Sequence, residues 1–296
     1  MLRIITDSAS DLPKDYIEKH KLHVIPTPVV IDEVDYLDGK TIQTEEFYNI
    51  LDDIKRDVKT YHINPAMFTD AFLPYAKAGD SVIYLCFSTG IAGTFNAANI
   101  AKETLLEEYP EFDLTIIDSK CASIGFGLVV SKLVTMLEHG ASKEELIEAA
   151  DYYITHVHHV FTVHTLAYLI KGGRLTKFKG TLAETLDMKP ILIVDGNGAL
   201  AVIKTVRGRK KSLKYLVEYA KENSSVMEGA TVALCHGEDK ESRDFMLSMI
   251  EQEIHPGEVL VGTVGCAIGA HTGRGLIGFC FFDADDGKYQ RYFESV

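Results

Sequence analysis

The chain has 296 residues, 46% of them apolar and 25% charged, and a formal charge of −13. That length holds two domains of ordinary size, and the composition is that of a folded globular protein rather than a disordered one. The acidic balance argues against nucleic acid as a general partner, because phosphate contacts dominate such affinity. No apolar run reaches the length of a membrane span. Met1 to Asp7 enters a strand pattern directly, without the regions of a signal peptide, so the expectation is a cytoplasmic protein with no stable membrane insertion. Five scattered cysteines, Cys86, Cys121, Cys235, Cys266 and Cys280, sit in apolar runs and read as reduced core residues rather than a disulfide or zinc framework.

The first half alternates strand and helix. Leu2 to Thr6 reads as a strand that ends in the polar loop Asp7-Ser8-Ala9-Ser10-Asp11, followed by a helix through about His20. Leu22 to Ile31 reads as extended, an edge or crossing strand because of Pro26 and Pro28. Asp32 to Lys40 is acidic and turn-like, and Thr44 is the expected cap of the next helix. Asn64 and Pro65 give a strong start signal for a helix that should kink near Pro74 and stop at Gly79. Val82 to Phe87 is an unbroken apolar run, as in a strand buried on both faces. It breaks into Ser88-Thr89-Gly90-Ile91-Ala92-Gly93-Thr94 before a helix whose inner face is Phe95, Ala98, Ala101 and Leu105. Leu114 to Ile117 is a further strand, ending in Asp118-Ser119-Lys120. A long helix to about His139 and a helix capped by Ser142 complete this half.

From about His156 the pattern changes. His158 to Val163 reads as a strand and Thr165 to Lys171 as a helix ending at Gly172-Gly173. Ile191 to Val194 and Leu200 to Val206 flank Asp195-Gly196-Asn197-Gly198, a hairpin signal. A basic helix start at Arg207-Gly208-Arg209-Lys210-Lys211 follows, then strands near Thr231, Val259 and Leu276 with one further helix. The fold expectation is therefore α/β, with an N-terminal doubly wound, mainly parallel domain (1–155). A C-terminal α+β domain with a mixed sheet (156–296) follows, and a ligand crevice lies between the two.

Three strands in the first half empty into hydroxyl- or Asp-rich loops, a coherent site at the carboxyl edge of a parallel sheet. The turn after Phe87 has glycines for close approach and opens a helix, whose first amides favour an anion. It fits neither a P-loop nor the dinucleotide fingerprint. Gly265 to Gly275 holds four glycines around His271-Thr272 and reads as a ligand-contacting loop rather than a plain hairpin. The cations from Lys204 to Lys211 sit unfavourably at a helix start, which hints at an anionic partner. His156, His158 and His159 invite a metal reading, but no carboxylate or cysteine falls at ligand spacing beside them, and no metal is expected. Ser88 and Thr89 lack a nucleophile elbow, and as hydroxyl donors to a bound anion they are equally well explained.

Taken in order, several motifs are familiar together: Thr6-Asp7-Ser8, Thr60 ahead of a Pro-started helix, Ser88 to Thr94, and Asp118-Ser119-Lys120. Lys171-Gly172-Gly173-Arg174, Val206 to Lys211 and Ile268 to Gly273 continue the series. Over essentially its whole length the chain resembles the DegV family, bacterial fatty-acid-binding proteins that include the acyl-carrying subunit of fatty acid kinase. The resemblance implies a long-chain fatty acid, such as palmitate, buried between two domains. It matches Thr60 to the carboxylate-binding threonine, His271 to the head-group histidine and Arg174 to the Gly-Gly-Arg arginine. Arg207 and Arg209, with Lys210 beside them, match a basic motif implicated in handling acyl phosphate or docking a kinase. This sequence departs from the pattern at Ala92, where the family usually has a serine, at Tyr61-His62-Ile63-Asn64, and at Arg274.

The function implied is that of a lipid carrier with no catalysis and no cofactor of its own, in which Thr60, Gly93 and Thr94 donate to the carboxylate. Ser88, Thr89, His62 and Thr272 are further candidate contacts, and an ATP-dependent kinase subunit is the partner implied. The competing reading is a hydrolase or transferase on an acyl or phosphorylated small molecule, using Ser88 or Thr89 with His271 as base.

Overall fold

The computed structural model describes residues 1–53, 56–175, 187–285 and 287–293. β1 (Leu2–Asp7), β2 (His23–Ile25), β6 (Ser81–Cys86) and β7 (Leu114–Asp118) form a parallel sheet in the order β2-β1-β6-β7. The chain leaves β1 toward one side for β2 and toward the other for β6, so strand order reverses between β1 and β6. That junction is where an open parallel sheet takes a ligand. Val82 to Cys86 is buried throughout, as its apolar run predicts.

A second sheet, not foreseen in the sequence, is antiparallel with the order β4-β3-β5: β3 (Pro28–Ile31), β4 (Val34–Leu37) and β5 (Val58–Thr60). The acidic stretch read as a turn is thus a hairpin. Asp32 and Glu33 take positive φ at its tip, and Val34 to Leu37 pairs back on β3. Pro28 opens the central strand of this sheet, a position where its missing N–H is tolerated. Helix α2 (Thr44–Leu51) starts one residue earlier than expected, with Gln43 rather than Thr44 in the cap position.

α3 (Pro65–Ala78) has Asn64 accepting from the Met67 amide, and it continues past Pro74 to the left-handed Gly79. α4 (Thr94–Glu108) follows the turn after β6, and Ala98, Ala101 and Leu105 are buried on its inner face. α6 (Lys143–His156) carries the full capping box of Ser142 and Glu145.

The third sheet is mixed and six-stranded, in the order β10-β9-β8-β13-β11-β12. Its strands are β8 (Val157–Thr162), β9 (Met188–Val194), β10 (Leu200–Arg207), β11 (Thr231–His236), β12 (Glu258–Thr263) and β13 (Ile277–Phe282). The Asp195 carboxylate organises the β9–β10 turn by accepting from the Asn197 and Ala199 amides. α8 (Arg209–Asn223) and α9 (Lys240–Glu253) bury Leu216, Val217, Met246 and Ile250 against this sheet's core. The stretch between β12 and β13, expected as a loop, contains the short helix α10 (Cys266–Thr272).

α5 (Ser123–Glu138) joins the two large sheets. It is apolar all round, so it needs partners on every side. It finds Ile4, Ile83 and Leu85 in the parallel sheet and Ala233, Cys235 and Cys280 in the mixed one, all within one apolar cluster. No helix among the described residues is long and apolar enough to cross a membrane.

Candidate functional site

A cavity opens where the carboxyl edge of the parallel sheet, the small antiparallel sheet, α10 and the mixed sheet meet. Its volume of about 90 Å³ is several times the ~10–15 Å³ that one water occupies, so it is a built cavity and not a packing defect. Phe87, Ile91, Phe161, Val194, Leu200 and Ile268 supply apolar walls, and a few polar groups converge among them. Such a lining suits a ligand with a long apolar part and a polar end.

The polar end is assembled from three separate segments. Thr60 closes β5, His271 lies in α10, and Arg174 follows the helix α7 (Ala167–Lys171). Thr60 Oγ1 and His271 Nε2 are 2.6 Å apart. The His271 ring packs so closely on Gly172 that a Cβ there would stand 2.0 Å from Nδ1. Burial, and then the Arg174 charge, push the His271 pKa down to about 4, so the imidazole is neutral at neutral pH. Its Nδ1 is buried without a hydrogen-bond partner among the described residues.

Arg174 is half-buried, and burial lowers its pKa. It donates to the Gly172 carbonyl at 2.7 Å, and it has no carboxylate partner among the described residues. An unpaired guanidinium, a neutral imidazole and a hydroxyl on one cavity wall are suited to a carboxylate.

α10 is itself anchored by Asp38, at the end of the β4 hairpin. The buried Asp38 carboxylate accepts from the Cys266 and Ala267 amides at 2.9 and 3.1 Å and from the Ser8 hydroxyl. The small sheet therefore holds α10 at its start through Asp38 and near its end through Thr60. Asp7, at the end of β1, accepts from the Phe87 amide and the Tyr84 hydroxyl and so fixes the start of the turn after β6. Burial raises its pKa to about 6 against those hydrogen bonds.

The candidates from the turn after β6 divide. Ala92 and Thr94 line the cavity, as does the exposed His62. Gly93 is the N-terminal cap residue of α4, with His62 as the neighbour its side chain would meet at 3.9 Å. Ser88 and Thr89 do not line it, which corrects their reading as donors to the ligand. The buried Ser88 hydroxyl donates to the Gly198 carbonyl at 2.7 Å, and Thr89 donates to Asp118 at 2.6 Å. The physical reason is the β9–β10 hairpin: its tip packs on Gly90, where a Cβ would lie 2.5 Å from the Gly198 backbone. Thr272 lines the cavity, but its hydroxyl donates within α10 to Ile268.

The basic motif divides too. Arg207 and Lys210 are exposed. Arg209 is held inside by Asp239, Ser242 and the Gly275 carbonyl, so its guanidinium ties the α8 start to neighbouring loops. The histidine run also differs from expectation: the fold brings the Asp283 carboxylate to His156 Nδ1 at 2.7 Å and His158 Nε2 at 2.8 Å. Among the described residues no set of three such side chains is arranged to hold a metal ion. Asp38 and Ser123 were not singled out from the sequence, and His159 was considered there only as a metal ligand. Asp7 was signalled by its place in a polar loop after a strand and by the Thr6-Asp7-Ser8 motif, whereas Asp38 gave no signal.

A family model described as "Uncharacterised protein, DegV family" matches residues 1–284. A DegV domain-containing protein of Clostridium perfringens is 32% identical over 280 residues, which cover 94% of this chain and 96% of that one. Among solved structures, a stearic acid-binding protein from Eubacterium ventriosum superposes with a TM-score of 0.88 at 30% identity, covering 98% of this chain and 100% of the other. A DegV family protein from Eubacterium eligens loaded with heptadecanoic acid gives 0.84 at 25% identity, covering 96% of this chain and 100% of that one. With the parallel sheet, the mixed sheet and the cavity between them, these matches place the chain: it belongs to the DegV family.

Proposed function

We propose that this chain binds a long-chain fatty acid in the cavity, with the carboxylate at Thr60, His271 and Arg174 and the acyl chain along the apolar walls. The observation that carries this reading is Arg174, a half-buried cation on the cavity wall with no carboxylate of its own among the described residues. The relatives that hold stearic and heptadecanoic acids support the same ligand class. Each buried methylene contributes about 0.8 kcal/mol, so the chain supplies most of the affinity and the head group sets orientation. The crevice lies between an N-terminal unit, 1–155, and a C-terminal unit, 156–296. His62 and the backbone at Gly93 and Thr94 extend the head-group site.

The protein acts as a cytoplasmic carrier without catalysis or cofactor of its own, and it presents the carboxylate to a partner such as an ATP-dependent kinase subunit. Arg207 and Lys210 are the exposed cations for that contact, with Arg209 in a supporting role. The hydrolase reading is less well supported, because Ser88 and Thr89 are bonded to Gly198 and Asp118 and stand outside the cavity lining.

The test is titration of the purified protein with palmitate and oleate, alongside an acyl-ester turnover assay. Tight binding that weakens at least tenfold in Arg174→Ala and His271→Ala, with no turnover, is expected. Absence of binding, or turnover that Ser88→Ala abolishes, contradicts the proposal.

A further inference from the structure

Two carboxylates from different parts of the chain hold the backbone where β12 passes into α10. Asp11 stands in the loop after β1, and its Oδ1 accepts from the Gly265 amide at 2.8 Å. Asp38 takes the next two amides, Cys266 on Oδ1 at 2.9 Å and Ala267 on Oδ2 at 3.1 Å. Gly265 lies between the two side chains: a Cβ there would stand 3.1 Å from Asp11 Oδ1 and 2.9 Å from Asp38 Oδ2. Those oxygens are therefore no further apart than the ~6 Å over which one charge strongly perturbs another.

Both carboxyl groups are buried, and neither has a cation partner among the described residues. The titratable groups that face them are Asp7 from β1, Tyr48 from α2, Cys266 from α10 and Cys235 from β11, none of them positive. Two buried carboxylates so placed do not both stay ionised, and the pair keeps one proton. The hydrogen bonds say where it sits. Both Asp38 oxygens accept from amides, and Oδ2 also accepts from the Ser8 hydroxyl. Asp11 Oδ2 instead meets the Ser123 hydroxyl, in a bond that either oxygen can donate, and Ser123 has the Cys235 thiol as a second neighbour. The proton is assigned to Asp11 Oδ2, which donates to Ser123 Oγ. Burial, with the Asp38 and Asp7 charges behind it, pushes the Asp11 carboxyl well above the usual carboxylate range.

We infer that Asp11 and Asp38 are positioning residues for the fatty-acid site, holding α10 as a pair that shares one proton and carries one charge. Ala267, whose amide Asp38 holds, lines the cavity itself, as do Ile268, His271 and Thr272 along the same seven-residue helix. A shift at the pair therefore moves the wall that carries the head-group imidazole. The inference rests on the fatty-acid reading above, since head-group affinity is what the helix position sets.

The experiment compares variants of the whole chain. Asp11→Asn keeps an acceptor for Gly265 and a donor for Ser123, so it copies the protonated acid, whereas Asp11→Ala copies neither. Palmitate affinity should fall at least about tenfold in Asp11→Ala and recover to within about threefold of the parent in Asp11→Asn. Asp38→Asn offers one acceptor to two amides and should bind at least about tenfold more weakly than the parent. Stability against pH is the second readout. Unfolded Asp11 gives up its proton near its ordinary value of 3.8 while the folded group keeps it, so the parent loses ground to Asp11→Asn as pH rises. In denaturant melts the folding equilibrium constant of Asp11→Asn should gain at least about tenfold on the parent between pH 5 and 8. A gap that does not change with pH overturns the inference. So does an unaffected Asp38→Asn, or an Asp11→Asn that binds no better than Asp11→Ala or at least about tenfold more weakly than the parent. If the parent binds no palmitate, the fatty-acid reading itself fails, and the melts still decide whether the pair shares a proton.

Discussion

Thr60 and His271 are 211 positions apart in sequence, and their side chains meet at 2.6 Å on the cavity wall. Thr60 closes a strand of the small sheet, and His271 sits near the end of a helix whose first amides are held by Asp38 from that same sheet. The imidazole is thereby fixed from both sides before any ligand arrives, which is what a head-group site requires.

Gly172→Ala tests that packing. Gly172 lies in ordinary helical space, with φ −76°, so alanine brings no backbone strain. Its Cβ would stand 2.0 Å from His271 Nδ1 and must drive the ring away from Thr60. Fatty-acid affinity should fall at least about tenfold while the folded state is retained. Titration calorimetry together with thermal unfolding separates the two effects, and unchanged affinity would contradict the positioning role.

Ala92→Ser tests the turn after β6. Position 92 lines the cavity, and alanine offers no donor there. A hydrogen bond to a charged group is worth roughly 1.5–3 kcal/mol, so the added hydroxyl should tighten binding by about tenfold or more. A fatty-acid titration of the variant reads this directly, and no gain would mean that other donors already satisfy the carboxylate.

The pH dependence follows from buried imidazoles. His271 is held at about 4 when folded, against an ordinary value of 6.5. The unfolded chain therefore binds the extra proton first. The stability this group contributes is complete above about pH 6.5 and is lost as pH falls toward about 4. Buried Asp7, raised to about 6, has the opposite sign: its ionised form is penalised above pH 6, and that penalty is relieved on acidification. Because the two oppose each other, the informative quantity is a difference between proteins. His271→Gln should lose less stability than the parent between pH 7 and 4, by about 2 kcal/mol. Denaturant melts at both pH values measure it, and parallel losses would mean the imidazole is not held neutral.

Arg209 and Arg207 should part company. Arg209 is held by Asp239, Ser242 and Gly275, so Arg209→Ala strands a partly buried carboxylate and should cost about 2–4 kcal/mol. Exposed Arg207 should change stability by no more than about 0.5 kcal/mol when truncated. Thermal unfolding of the two variants checks this, and equal effects would place Arg209 on the surface.

Much of this architecture is legible in residue pattern. Val82 to Cys86 announces a buried parallel strand, Asn64-Pro65 a helix start, and Ser142 with Glu145 a capping box, because each signal is local. The hairpin from Pro28 to Leu37 was missed because its strands are short, and prolines and acidic residues obscure the alternation. Glycines made Gly265 to Gly275 look like a loop, whereas Gly269 lies inside α10 because a side chain there would collide with Tyr48. Ser88 and Thr89 looked like ligand donors because their true partners, Gly198 and Asp118, lie far along the chain. Asp38 gave no signal at all, since its role exists only once remote strands and helices are brought together.

The central claim is that a fatty acid occupies the cavity with its carboxylate at Thr60, His271 and Arg174. Native mass spectrometry of the purified protein, followed by solvent extraction, tests it most directly. One long-chain fatty acid per chain, displaced from the Arg174→Ala variant, is the predicted result. A protein that carries no fatty acid and takes up none when palmitate or oleate is offered would contradict it.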